Sequence, residues 1–121
     1  MGKKILIVED NDDDLFIIKR YLSGAGYNEV VVARDVKEGL DKAEQEKPDL
    51  VISDTLLPDG NGFEVCQRVR QKHGAENPKI IIMTGSIDAV DAVKARKMGA
   101  DDYCAKTSDC GIIMDAVKKL I

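Results

Sequence analysis

The sequence is poor in the residues that build metal and redox sites of the histidine or cysteine type. His73 is the single histidine, so no second histidine can join it at a metal, and no HExxH motif occurs. The three cysteines, Cys66, Cys104 and Cys110, are odd in number and show no CxxC spacing. We therefore interpret them as reduced, buried thiols of a cytoplasmic protein.

The sequence also lacks long apolar segments and an excess of positive charge. No apolar stretch approaches the roughly 20 residues that span a bilayer. The first four residues lead directly into four apolar residues and then acids, which is too short for a signal peptide. Lys and Arg number 18 against 22 Asp and Glu, so the net charge is −4. This balance disfavours nucleic-acid binding by the domain, because contacts to phosphates need a basic face.

What the sequence does contain is a regular alternation of short apolar runs and amphipathic stretches. The apolar runs lie at 5–8, 30–33, 50–52 and 80–83, with a weaker one at 103–104. Between them, apolar residues recur at helical spacing, as Leu15, Ile18 and Leu22 do. Five strand–helix units predict an α/β protein with a parallel sheet and helices on both faces, in one domain.

The stretch VEDNDDD at residues 8–14 places five acids behind the first predicted strand. We expect Glu9 and Asp10 to end that strand. Asn11 is expected in the turn, and Asp12–Asp14 are expected to cap and fill the first turn of the first helix, where acids complement the helix dipole. Two further helix starts are predicted by an Asp or Asn followed three residues later by Glu, at 35–38 and 61–64.

Polar residues follow four of the predicted strands. Glu9 and Asp10 come after the first, Asp54 after the third, Thr84 after the fourth and Lys106 after the fifth. Ligand sites of such sheets lie at the carboxyl ends of the strands, so these side chains are expected to converge.

Clustered carboxylates need a compensating charge, and Mg²⁺ prefers oxygen ligands. We predict Asp10 and Asp54 as direct ligands, with Glu9 binding directly or through water. One carboxylate could then attack phosphorus, with Lys106 neutralising the phosphoryl oxygens and Thr84 donating a hydrogen bond.

Two other functions fit the residues less well. A flavodoxin-like electron carrier would need a phosphate-binding loop where this chain has acids, and its aromatic content is only 4%. An EF-hand loop would match Asp10, Asp12 and Asp14, but Leu15 stands where Gly is needed and Tyr21 where Glu is needed.

Over essentially its full length the chain resembles the receiver domain of two-component response regulators. The resemblance is carried by Glu9-Asp10, by SDTLLPDGNG at 53–62, by MTG at 83–85 and by GADDYCAK at 99–106, all in register. It implies a flavodoxin-like (βα)5 sheet in the order 2-1-3-4-5. The whole of 1–121 is expected to be one receiver domain without an output domain.

The resemblance also implies the chemistry. Asp54 would be the phosphoacceptor, taking its phosphoryl group from a phosphohistidine of a sensor histidine kinase or histidine phosphotransfer protein. Mg²⁺ would be held by Glu9, Asp10, Asp54 and the backbone carbonyl of Leu56. The domain would catalyse its own phosphorylation and dephosphorylation at Asp54 rather than act as a conventional turnover enzyme.

A switch is implied as well, in which Thr84 moves toward the phosphate and Tyr103 swings inward. The surface of the fourth helix, fifth strand and fifth helix would then be read by a downstream protein target or output domain. The family usually has proline after the lysine, but Thr107 follows Lys106 here. We predict a trans peptide at this bond, a changed loop and a retained site, with Thr107 or Ser108 capping the last helix and Asp109 in its first turn. The alternative is a receiver-like module that binds or dimerises without phosphorylation.

Overall fold

Five parallel strands form a single sheet in the computed structural model, which describes residues 2–107 and 109–121. The strands are β1 (Lys4–Val8), β2 (Glu29–Ala33), β3 (Leu50–Asp54), β4 (Lys79–Thr84) and β5 (Asp102–Ala105). Their spatial order is β2-β1-β3-β4-β5. The predicted (βα)5 class and strand order are confirmed.

Five helices cover the two faces of the sheet. They are α1 (Asp12–Gly24), α2 (Val36–Glu46), α3 (Gly62–His73), α4 (Ala89–Lys97) and α5 (Gly111–Leu120). One apolar core lies between the sheet and α1 and α5, and a second lies between the sheet and α2, α3 and α4. No helix in the described part of the chain is long and apolar enough to cross a membrane.

The two cores explain why the strand sequences are continuous apolar runs. In β1, Ile5 and Ile7 enter the core beneath α1 and α5, whereas Leu6 and Val8 enter the opposite core. All four side chains have no exposed surface. A strand covered on both faces has no polar side to present, so its sequence does not alternate.

The start of α1 differs from the prediction in one respect. Asn11 is the residue that caps this helix, because its side-chain oxygen accepts the Asp14 N–H at 2.9 Å. Asp12, Asp13 and Asp14 fill the first turn as expected. Assigning the cap to these acids was therefore wrong, although their placement at the positive end of the helix dipole was right.

A short antiparallel hairpin, absent from the prediction, connects β3 to α3. It pairs Leu56–Leu57 with Gly60–Asn61, and Asn61 then caps α3 by accepting the Glu64 N–H. The carboxylate of Asp59, at its tip, accepts the backbone N–H of Val36 at 2.7 Å and that of Lys37 at 3.1 Å. These bonds lower the pKa of Asp59 and fasten the hairpin to the first turn of α2.

The loop before α5 takes a path that the sequence did not reveal. The Lys106–Thr107 peptide is trans, as predicted, since the cis bond of the described chain lies at 77–78. Thr107 donates its hydroxyl to Asp109 rather than capping the helix, and Asp109 accepts the Gly111 N–H from a position ahead of the first turn. Cys110 precedes the helix in the left-handed region, at φ 52°. The proposed role of Ser108 lies outside the described residues.

At the edge of the sheet where the strands begin, one guanidinium connects three segments. Arg70, in the last turn of α3, donates to Gly99 O at 2.8 Å, to Pro78 O and to the Asp101 carboxylate at 2.8 Å. Its side chain is only 9% exposed. Asp101 also accepts the Ile80 N–H, so the starts of β4 and β5 are held together through this pair.

The three cysteines are free and buried, as predicted. Burial raises the pKa of Cys66 to about 11 and that of Cys104 to about 12. Such thiols carry almost no thiolate at neutral pH and are chemically inert in the folded chain.

Candidate functional site

Four neighbouring strands bring the sequence-predicted side chains to one edge of the sheet. Glu9 and Asp10 directly follow β1, Asp54 ends β3, Thr84 ends β4, and Lys106 directly follows β5. The Lys106 N–H donates to Thr84 O at 2.7 Å, which keeps the last two of these chain segments aligned. Because the strands are parallel neighbours, residues far apart in sequence meet here.

The ammonium group of Lys106 lies at the centre of this edge. Its Nζ is 2.8 Å from Glu9 Oε1, 2.9 Å from Asp14 Oδ2 and 3.0 Å from Asp54 Oδ2. Burial alone would lower the pKa of Lys106, but the three carboxylates outweigh it and raise the pKa. Lys106 therefore carries a fixed positive charge in contact with the predicted phosphoacceptor.

Glu9 is the most deeply buried acid of the group, with no exposed surface. Its Oε2 accepts the Asn11 N–H at 3.2 Å, while Oε1 faces Lys106 without the alignment of a hydrogen bond. Burial raises the pKa of Glu9 to about 7, and the neighbouring Asp54 charge adds to this, against the opposing effect of Lys106. Because Glu9 shares the charge of Lys106 with Asp14 and Asp54, its position suits a further cation.

The geometry of the acids fits a hard divalent metal. One carboxylate oxygen from each of Glu9, Asp10 and Asp54 lies within 4.8 Å of the others. Asp10 is exposed, so the group opens to solvent on one side, as a metal that keeps water ligands requires. Glu9, Asp14 and Asp54 contact the Lys106 ammonium and Asp10 lies beside Glu9 and Asp54, so the acids outnumber this cation four to one.

The two residues predicted to switch are placed differently from the acids. Thr84 is buried, but its hydroxyl donates to Ser86 O at 3.0 Å and accepts the Ser86 N–H at 3.2 Å. It is thus engaged with the loop after β4. Tyr103 packs against the core beneath α2, α3 and α4, and its hydroxyl is buried without a hydrogen-bond partner.

Three functional neighbours were missed by reasoning from sequence alone. Asp14 was assigned to the first turn of α1 and not to the residues that contact Lys106, yet its carboxylate accepts a hydrogen bond from that ammonium. Asp59 was not singled out, and its bonds to α2 depend on the hairpin. Gly62 packs so closely that a Cβ would lie well inside 3.0 Å of Asp54 O. The second glycine of SDTLLPDGNG was the one available signal for that approach.

Comparison with known proteins agrees with this arrangement. The response regulator receiver domain family matches residues 5–118. The alkaline phosphatase synthesis transcriptional regulatory protein PhoP of Bacillus subtilis is 40% identical over 106 residues, covering 88% of this chain and 43% of that protein. The response regulator ArlR of Staphylococcus aureus is 36% identical over 118 residues, covering 98% of this chain and 52% of that protein.

A solved structure supports the same assignment. The CheY-like response regulator receiver domain protein of Methanospirillum hungatei JF-1 is 33% identical, with a TM-score of 0.84 over 98% of this chain and 93% of that one. The chain spans about half the length of the curated relatives it matches, at 43% and 52%. By sequence, fold and the placement of its acids, the chain belongs to the response regulator receiver domains of two-component systems.

Proposed function

We propose that this domain is a phosphorylation-dependent switch whose phosphoacceptor is Asp54. The observation that carries the proposal is the 3.0 Å contact between Asp54 Oδ2 and Lys106 Nζ beside the acids Glu9 and Asp10. A carboxylate flanked by a fixed cation and a metal-binding group of acids is equipped to receive a phosphoryl group.

The phosphodonor is a phosphohistidine of a sensor histidine kinase or histidine phosphotransfer protein. The Asp54 carboxylate attacks phosphorus, the new O–P bond forms, and the donor's N–P bond breaks with its electron pair going to the imidazole nitrogen. Lys106 stays paired with a phosphoryl oxygen throughout. Hydrolysis by water later returns the free carboxylate and inorganic phosphate.

The metal site of this proposal consists of Glu9, Asp10, Asp54 and the backbone carbonyl of Leu56. When bound there, Mg²⁺ supplies the positive charge that lets an anionic donor approach the acids. Glu9 supports this assignment because it is buried, carries a raised pKa and has an oxygen without an aligned hydrogen bond.

Phosphorylation is read out through Thr84 and Tyr103. The Thr84 hydroxyl leaves Ser86 to bond the phosphoryl group, and the Tyr103 hydroxyl, now without a partner, gains one as the ring moves inward. The surface of α4, β5 and α5 changes with them. Val90 and Val93 on α4, at 75% and 54% exposure, offer apolar contacts to a downstream protein or output domain.

The setting we propose is the cytoplasm, where three free thiols remain reduced. The domain itself contacts neither nucleic acid nor membrane in this proposal, since its net charge is −4. Its catalysis is limited to forming and removing the acyl phosphate on Asp54.

Intact-protein mass spectrometry tests the proposal. After incubation with Mg²⁺ and acetyl phosphate or phosphoramidate, the protein should gain one phosphoryl group, and Asp54→Ala should gain none. Asp41→Asn, an exposed acid on α2, is the matched control and should behave as the wild type. No gain in the wild type, alongside a receiver that is phosphorylated under the same conditions, would favour a module that works without phosphorylation.

A further inference from the structure

Lys106 has a third carboxylate partner that belongs to neither the phosphoacceptor nor the proposed metal ligands. Asp14, in the first turn of α1, accepts a hydrogen bond from Lys106 Nζ at 2.9 Å. This distance equals, within 0.1 Å, those to Glu9 and Asp54. The ammonium group therefore divides its charge among three acids, of which Asp14 is the most exposed, at 40% of its side chain.

We infer that Asp14 is a positioning residue that restrains Lys106 in the unphosphorylated domain and competes with the incoming phosphoryl group for it. The inference rests on the proposed function, because it assigns Lys106 to the phosphoryl oxygens. Three carboxylates lie within 3.0 Å of the Lys106 ammonium, and the contact with Asp14 is an aligned hydrogen bond. A phosphoryl group that bonds Lys106 therefore competes with these acids for its three N–H donors.

Asp14 is the partner most readily displaced. Glu9 is fully buried and Asp54 carries the phosphoryl group itself, so both remain beside Lys106 whatever happens at the edge of the sheet. Asp14 is half-exposed, and water can replace its lost ion pair at little cost. Phosphorylation is thus expected to release the first turn of α1 from the loop that follows β5.

Removing the Asp14 charge should accelerate phosphorylation for two reasons that act in the same direction. Lys106 becomes more available to the transferring group, and an anionic donor meets one negative charge fewer. We expect Asp14→Asn to be phosphorylated by acetyl phosphate about three- to tenfold faster than the wild type. The enhancement should shrink as salt is added, because the side chain is partly exposed to solvent.

Asp13→Asn is the matched control. It removes the same charge from the same helical turn, but Asp13 is exposed and makes no contact with Lys106. Its phosphorylation rate should stay within about twofold of the wild type. Equal rates for the two variants, or a slower Asp14→Asn, would overturn the inference.

Failure of the inference and failure of the proposed function give different results. If the wild type is not phosphorylated, the proposed function fails; if it is phosphorylated but the two variants agree, only the role of Asp14 fails. Urea unfolding in EDTA tests the coupling between Asp14 and Lys106 without a phosphodonor. Asp14→Asn should lower the unfolding midpoint more in the wild type than in Lys106→Met, because the interaction of Asp14 with the helix dipole is common to both backgrounds. Additive shifts would mean that the two side chains are not coupled.

Discussion

A single methyl group at Gly62 should disturb Asp54, the proposed phosphoacceptor, directly. Gly62 opens α3, and a Cβ added there would lie well inside 3.0 Å of Asp54 O and 3.1 Å from Ser53 Oγ. The closer neighbour is a backbone oxygen of a buried strand, so it cannot turn aside as a flexible side chain would. Gly62→Ala therefore pushes the first turn of α3 away from β3, or displaces Asp54.

The change in the free energy of unfolding caused by Gly62→Ala is the difference between two opposing contributions. Overpacking a close contact costs about 1–3 kcal/mol, whereas Ala in place of Gly in a helix gains about 0.5–1 kcal/mol. We expect Gly62→Ala to lower the free energy of unfolding by about 1–2 kcal/mol. Gly24, at the end of α1, is the matched control, because a Cβ there meets nothing within 4 Å. Gly24→Ala should be neutral or stabilising.

Urea unfolding of both variants in EDTA measures the stability change, and phosphorylation by acetyl phosphate measures the displacement of Asp54. A carboxylate moved by several tenths of an ångström should be phosphorylated about tenfold more slowly. The reasoning is refuted if Gly62→Ala is as stable as Gly24→Ala and is phosphorylated at the wild-type rate.

Three further predictions follow from buried groups. Arg70→Ala should lower the free energy of unfolding by about 2 kcal/mol, because the carbonyls of Gly99 and Pro78 and the Asp101 carboxylate lose their common donor. Lys72→Ala, an exposed neighbour, should cost under about 1 kcal/mol in the same urea titration. Cys66 and Cys104 should resist a thiol reagent at pH 8 until the chain unfolds, and rapid labelling of the native protein would contradict their burial. The pKa of Glu9 is raised to about 7 in the folded chain, so the metal-free protein should lose stability as pH rises from about 4.5 to about 7. Glu9→Gln should remove this loss. A variant with the same pH profile as the wild type would count against the prediction.

The sheet and the converging site acids could be predicted because their causes are local. Continuous apolar runs mark strands covered on both faces, and a parallel sheet gathers whatever follows its strands at one edge. Glu9, Asp10, Asp54, Thr84 and Lys106 were identified in this way, and all five lie at that edge.

Features that depend on contacts between distant segments could not be predicted. Asn and Asp have nearly equal preferences for the cap position of a helix. The sequence alone therefore could not decide whether Asn11 or one of the aspartates after it caps α1. The contact of Asp14 with Lys106 joins residues 92 positions apart and depends on how the start of α1 lies relative to the segment after β5. The hairpin that carries Asp59 contains only two residues in each strand, which is too short for a periodic signal.

The guanidinium of Arg70 has a consequence for how the domain transmits a signal. It ties together segments where the strands begin, at the edge opposite the acids, with bonds of 2.8 Å to Gly99 O and the Asp101 carboxylate. At the other edge, the ammonium of Lys106 contacts Glu9, Asp14 and Asp54. Each end of the sheet is therefore cross-linked by one cation, a guanidinium where the strands begin and an ammonium where they end. If the proposed phosphorylation occurs, we expect it to change the contacts of Lys106 at one end of the sheet while the bonds of Arg70 at the other end stay in place.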